Sequence, residues 1–244
     1  MPVVVAALLA SYIIPLSLFF YLRSLYKNDP ELKKECGKLL LRGVGTCVPV
    51  FFFSFASRIV FNLLHLGDLG QIVADLFMCF VTYALSEEWM KYLATRKSLK
   101  KFHSKISYLD VIAFSIIPGI GFEILEAAVY LLESNVPQIL VRGISNMHAV
   151  FGLIVGVFIA RGYKKGNLNA PILGIAASTF VHGLYDFGIH GDNADTWLGG
   201  VSLFLAFASL IATIYTFFRI RKIRKDSYYT EPLFPEEAVA GENQ

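Results

Sequence analysis

The chain has 244 residues, 55% of them hydrophobic, a mean hydropathy of +0.56 and a net charge of +3. That is too apolar for a soluble domain of this length, so the chain is expected to be an integral membrane protein. The small positive excess reads as a topology signal rather than a nucleic-acid surface, and the widely separated Cys36, Cys47 and Cys79 form neither a disulfide framework nor a CxxC metal pair.

Seven apolar runs, 3–22, 43–64, 70–93, 109–132, 137–160, 168–189 and 197–218, approach the roughly 20 residues a helix needs to cross the hydrocarbon core. They predict an all-α polytopic bundle of about seven transmembrane helices. The first run has no basic segment ahead of it, unlike a cleaved signal peptide, and is expected to stay as a span. The connections alternate in charge. Segments 23–42, 91–105, 161–165 and 219–225 hold all of the 22 basic residues except Arg58 and Arg142. By the positive-inside rule this puts the N-terminus outside and the C-terminus in the cytoplasm. Residues 1–225 then form one membrane domain, and the acidic, proline-containing 226–244 is expected as a disordered cytoplasmic tail. Gly152, Gly156 and Ala160 in the fifth run, and Ala170, Gly174 and Ser178 in the sixth, mark faces where helices approach closely. Pro118-Gly119-Ile120-Gly121 predicts a break in the fourth helix.

Ionisable residues at bilayer depth cost roughly 2.5–3.5 kcal/mol on insertion scales, so those inside the runs point to function. Glu87 and Lys91 stand at i, i+4 and are expected to pair, with Glu88 turned about 100° away. Glu126 lies well inside the fourth run, with Glu123 one turn earlier, and His148 lies in the fifth after Arg142. His182 and Asp186 are again i, i+4, and His190 extends that row toward the interface. Each has an ordinary alternative: an interfacial charge cluster with a snorkelling lysine, a protonated hydrogen-bonded glutamate, a polar packing histidine. Carboxylates and histidines on four separate spans together match what an activated-water site requires. HExxH, GxSxG and Walker signatures are absent. On these boundaries Glu87 lies nearer the cytoplasmic face, and Glu126 and His182 past the midplane. A single site therefore requires the helices to be shifted by several residues.

Taken in order, Glu87-Glu88-x-x-Lys91, Gly121-Phe122-x-x-x-Glu126, Arg142 followed by His148-Ala149-x-Phe151-Gly152, and His182-Gly183-Leu184-Tyr185-Asp186 resemble the motif set of the PrsW family of intramembrane proteases. They are similar also to the EExxxR, FxxxH and HxxxN patterns of the CAAX prenyl-protease and bacteriocin-processing superfamily. The resemblance implies that Glu87 and Glu88 include the water-activating base. It implies further that Glu126, His148 and His182 complete the site, and that Asp186 is a polarising partner. Lys91 and Arg142 act as supporting charges. It implies a divalent metal such as zinc on Glu126, His148 and His182, or a metal-independent glutamate mechanism. The implied setting is a bacterial cell membrane, with a membrane protein or peptide as substrate, such as an anti-sigma factor, and no nucleic acid. Two rivals use the same residue types: a proton-coupled transporter, against which stands the lack of an internal repeat, and a non-catalytic binder of a lipidated or membrane partner.

Overall fold

Helices account for nearly all of the computed structural model, which describes residues 2–133, 145–167, 169–190, 193–194 and 196–234. α1 (Pro2–Ser24) and α2 (Pro30–Leu63) are followed by a 3-10 turn at Leu66–Leu69. Then α3 (Gln71–Leu76), a π-helical segment (Phe77–Leu85) and α4 (Ser86–Lys101) run on as one rod. α5 (Tyr108–Glu133), α6 (Met147–Lys164), α7 (Ala170–Ile189), α8 (Trp197–Ile223) and the short α9 (Ser227–Thr230) complete the order. Among the described residues β structure is limited to one isolated bridge, Ser107 to Pro232.

Five of these helices are long and apolar enough to cross a membrane: α2, α5 over Tyr108–Val129, α6, α7 and α8. The expected third span, 70–93, falls on the rod, which the π segment divides into pieces each shorter than a span. The expected first span falls on α1, where most side chains up to residue 10 lie outside the described set, and the fifth expected span begins in 134–144, also outside it. Two helices continue far beyond their apolar runs. α2 starts at Pro30, where the fixed proline φ suits a first turn and the Asp29 side chain accepts a hydrogen bond from Leu32 N at 3.0 Å. α4 continues to Lys101. Where α2 and α4 run side by side, Glu35 accepts from Ser98 Oγ at 2.7 Å and pairs with Arg42 at 2.9 Å and Lys101 at 3.2 Å.

α5 is the centre of the bundle, packed by α1, α2, α4 and α6. Val111, Phe114, Ile117 and Ile120 are fully buried on it. The break expected at Pro118 does not occur, and α5 passes through it as continuous helix. Proline removes the N–H that would bond the carbonyl four residues back. Here the Thr95 hydroxyl of α4 lies 3.4 Å from that carbonyl, on Phe114, and shares its one proton with the Lys91 carbonyl at 3.1 Å. The glycines that follow serve close approach: a Cβ on Gly121 would strike the Leu40 carbonyl of α2, and one on Gly119 the His148 carbonyl of α6. These contacts draw α2 and α6 onto the polar half of α5.

The π segment has its own polar support. The Ser86 hydroxyl donates to the carbonyl of Thr82 at 2.7 Å, and the Ser57 hydroxyl reaches Thr82 Oγ1 at 3.0 Å. Beyond Lys225 the chain stays packed as far as Phe234. Leu233 N donates to the Ile106 carbonyl at 2.9 Å, and the Phe234 ring stacks on His103. Residues 235–244 lie outside the described set.

Candidate active site

The basic connections define one end of the bundle, and counting from that end explains why the ionisable residues meet. Glu88 stands about 19 Å of helix from the end of α4 at Lys101, and His182 about 18 Å from the start of α7 at Ala170. Both are therefore at one level. Hydropathy had placed the boundary at residue 93 because α4 turns polar there, although it remains helical to Lys101.

Glu87, Glu88, Lys91, His148 and His182 are all buried. Lys91 contacts both glutamates, but its shorter partner is Glu88 at 2.6 Å, with Glu87 at 3.7 Å. The expected Glu87–Lys91 pair is thus present, and Lys91 adds a shorter one to Glu88, since residues three and four positions before it both lie on its face of the helix. Glu88 uses both oxygens. Its Oε1 faces Lys91 and His182 Nδ1, at 3.0 Å, and its Oε2 accepts from Ser178 Oγ at 2.8 Å. Glu87 differs: its Oε2 is buried and has no hydrogen-bond partner. That oxygen lies 3.8 Å from His148 Nδ1 and 3.8 Å from His182 Nε2.

Each histidine is held from behind by a carboxylate. His148 Nε2 is 2.7 Å from Glu126 Oε2, and its Nδ1 is 2.9 Å from Lys91 Nζ. Because the ammonium only donates, Nδ1 accepts and Nε2–H donates to Glu126. The backbone N–H of His148 donates to Glu123 Oε2 at 3.3 Å. Asp186 Oδ2 lies 3.3 Å from His182 Nε2, beside the unpartnered oxygen of Glu87. Phe151 stacks on the His182 ring with centroids 4.3 Å apart, and Phe122 lies 4.7 Å from Lys91 Nζ.

Of the expected site residues, Glu87, Glu88, Lys91, Glu126, His148, His182 and Asp186 therefore come together, and Arg142 lies outside the described residues. His190 does not join them: it is 3.7 Å from Asp75, at the other end of the rod. Two residues of the cluster, and one beside it in the chain, escaped the sequence reasoning. Ser178 read as a packing residue, and Glu123 as the weaker of two glutamates. Asn146, two residues before His148, has no exposed surface and no partner for either side-chain atom. A buried amide with neither atom hydrogen-bonded is rare.

The family profile described as "PrsW family intramembrane metalloprotease" matches residues 38–214, a stretch that contains every residue of this cluster. The chain belongs to the PrsW family of intramembrane metalloproteases. It is 24% identical over 178 residues to Protease PrsW of Bacillus subtilis (strain 168), covering 69% of this chain and 75% of that one. To Protease PrsW of Geobacillus kaustophilus (strain HTA426) it is 24% identical over 176 residues, covering 69% and 72%. To that of Clostridioides difficile (strain 630) it is 26% identical over 147, covering 56% and 62%. No solved structure matches the chain. Membership in this family makes the chain an intramembrane protease and a multi-pass membrane protein.

For the metal that the family description implies, the group that could hold it is Glu87, His148 and His182, each offering one ligand atom within 4.8 Å of the others. Glu87 stands where the sequence placed Glu126, because Glu126 bonds the nitrogen of His148 that points away from the group. The chemistry of the set fits a divalent cation: one carboxylate and two imidazoles, with Glu126 and Glu88 on the rear nitrogens, where metal-bound histidines ordinarily carry a carboxylate. The one opposing feature is Lys91, whose ammonium occupies the front nitrogen of His148.

Proposed function

We propose that the chain hydrolyses a peptide bond of a single-span or otherwise membrane-embedded protein with a water held at Glu87. The observation that carries this is the unpartnered Oε2 of Glu87, ringed by His148, His182 and Lys91 and backed by Asp186. Glu88 has no free oxygen, so it orients His182 and Lys91, while Glu87 takes the proton of the water. Asp186, beside that oxygen, passes the proton toward the leaving amine. Asn146 offers a donor and an acceptor side by side, which is what an extended peptide backbone presents in return. A divalent metal such as zinc, held by Glu87, His148 and His182, would polarise the water and the scissile carbonyl.

A second reading, in which no metal is needed, is favoured by the 2.9 Å contact between Lys91 Nζ and His148 Nδ1. There the ammonium supplies the positive charge that stabilises the oxyanion. Elemental analysis of the purified protein, with chelation followed by zinc restoration, separates the two. Metal-dependent recovery of cleavage supports the first, and chelator-resistant cleavage by metal-free protein the second.

The proposal extends to topology and setting. Seven spans are counted when the rod α3 to α4 and α1 are added to the five apolar helices, with the N-terminus outside and the basic end in the cytoplasm of a cell membrane. Residues 1–225 act as one domain, and an anti-sigma factor is the kind of substrate expected. Glu87→Gln should abolish cleavage of a single-span reporter without loss of folded protein; cleavage at the original rate by that variant would defeat the assignment.

A further inference from the structure

A cavity of about 470 Å³ lies against the candidate site, between α2 and α5. Its walls include Phe51, Phe55 and Arg58 of α2, Tyr83 of the π segment, and Phe122 and Glu126 of α5. Two of these are shared with the site itself. Glu126 holds His148 Nε2 at 2.7 Å, and the Phe122 ring centroid is 4.9 Å from that of His148. The cavity thus begins where the histidine cluster ends. It extends along α2 from Cys47 to Arg58, about 16 Å at the rise of a helix. That length takes about five residues of extended chain.

Arg58 gives the cavity a chemical preference. It is one of only two basic residues outside the basic connections, so it serves no topology signal. Its guanidinium donates to the Tyr83 hydroxyl at 2.7 Å, and among the described residues it has no carboxylate partner. A guanidinium carries five N–H donors in a planar fork, of which Tyr83 takes one, and the remainder match a carboxylate held by two bonds. Arg58 is exposed, five residues before the end of α2 at Leu63, so the remaining donors of its guanidinium are open to a group that enters the cavity.

We infer that this cavity is the substrate groove, and that Arg58 selects a substrate with an aspartate or glutamate about four or five residues from the scissile bond. Apolar side chains between the bond and that acid pack on Phe51 and Phe55, and the segment lies extended, since a helical peptide bond is closed to attack. This inference rests on the proposed site, because it takes Glu126 and His148 as the catalytic end of the groove.

The test uses the full chain carrying Glu87→Gln, so that binding is read without cleavage. The probes are fluorescent 20-residue Leu/Ala peptides in detergent micelles with one Asp, Asn or Lys stepped along the chain. The Asp peptide should bind at least tenfold more tightly than the Asn peptide at one spacing only, a comparison that needs no change at position 58. Arg58→Gln should remove the difference, and Arg58→Glu should shift the preference to Lys. A Cys placed four or five residues from the Asp, toward the scissile end, should form a disulfide with Cys47, which lines the other end of the cavity, whereas Cys36 and Cys79 are buried. Equal binding of Asp and Asn peptides at every spacing would overturn the inference. So would phospholipid that co-purifies with the Arg58 protein and is lost from Arg58→Gln while peptide binding stays the same, since the groove would then hold lipid. If Glu87→Gln still cleaves, the site assignment fails, whereas the Arg58 preference stands or falls on binding alone.

Discussion

Glu35 and Glu87 are both buried carboxylates paired with a lysine of α4, Glu35 from the neighbouring α2 and Glu87 from α4 itself, and they differ in how completely they are matched. Glu35, 1% exposed, has a hydroxyl and two cations on its two oxygens. Glu87, 6% exposed, keeps one buried oxygen without a hydrogen bond, aimed at two imidazoles and one ammonium already committed to Glu88. Leaving such an atom unsatisfied costs about 1–3 kcal/mol, and more for a charged group. A clamp has no reason to carry that cost; a site that must admit water or a cation does. Saturation of the carboxylate therefore separates the structural cluster from the candidate catalytic one, although both are built from Glu, Lys and Ser.

The comparison can be broken most directly at Glu87. Glu87→Gln should lower kcat for a membrane reporter by about 10²–10⁴-fold, the range for loss of a general base, with the thermal midpoint unchanged or raised. Glu126→Gln, which acts through His148, should cost about 10–100-fold in activity and weaken zinc retention in an equilibrium-dialysis assay. Glu35→Gln should do the reverse, destabilising the protein by about 1–3 kcal/mol in a denaturant titration while the folded fraction keeps its specific activity. Its partners Arg42 and Lys101 are partly solvated, which limits the loss. Thr95→Val, which removes the hydroxyl from the Phe114 carbonyl opposite Pro118, should cost about 1 kcal/mol and leave the pattern of cleavage intact. If Glu35→Gln abolished turnover in well-folded protein, the division between the two clusters would fail.

Much of the site was legible because charged residues inside apolar runs are rare, so Glu87, Glu88, Glu126, His148, His182 and Asp186 stood out without any structure. Their partners were less visible. Ser178 and Asn146 are unremarkable in a membrane helix and its approach, and only packing shows that one bonds Glu88 and the other bonds nothing. Lys91 could pair with Glu87 or Glu88, four or three residues before it, and the rotamer that favours Glu88 is set by His148 and Phe122 from other helices. The break expected at Pro118 does not occur, and the sequence could not show that α2 and α6 close tightly on α5 around the proline, at Gly43, Gly119 and Gly121.

The sequence by itself determined the helical membrane class, the alternation of basic connections and the ordered motifs, because hydropathy and charge act locally along the chain. Tertiary structure decided the level at which the motifs meet. α4 continues helical past its apolar stretch, and a π segment precedes Glu87, where each inserted residue turns the rest of the rod by about 100° around its axis. It also decided which glutamate keeps an oxygen free. Saturation depends on neighbours from α6 and α7, separated from Glu87 by scores of residues along the chain, and periodicity within one helix carries no record of them.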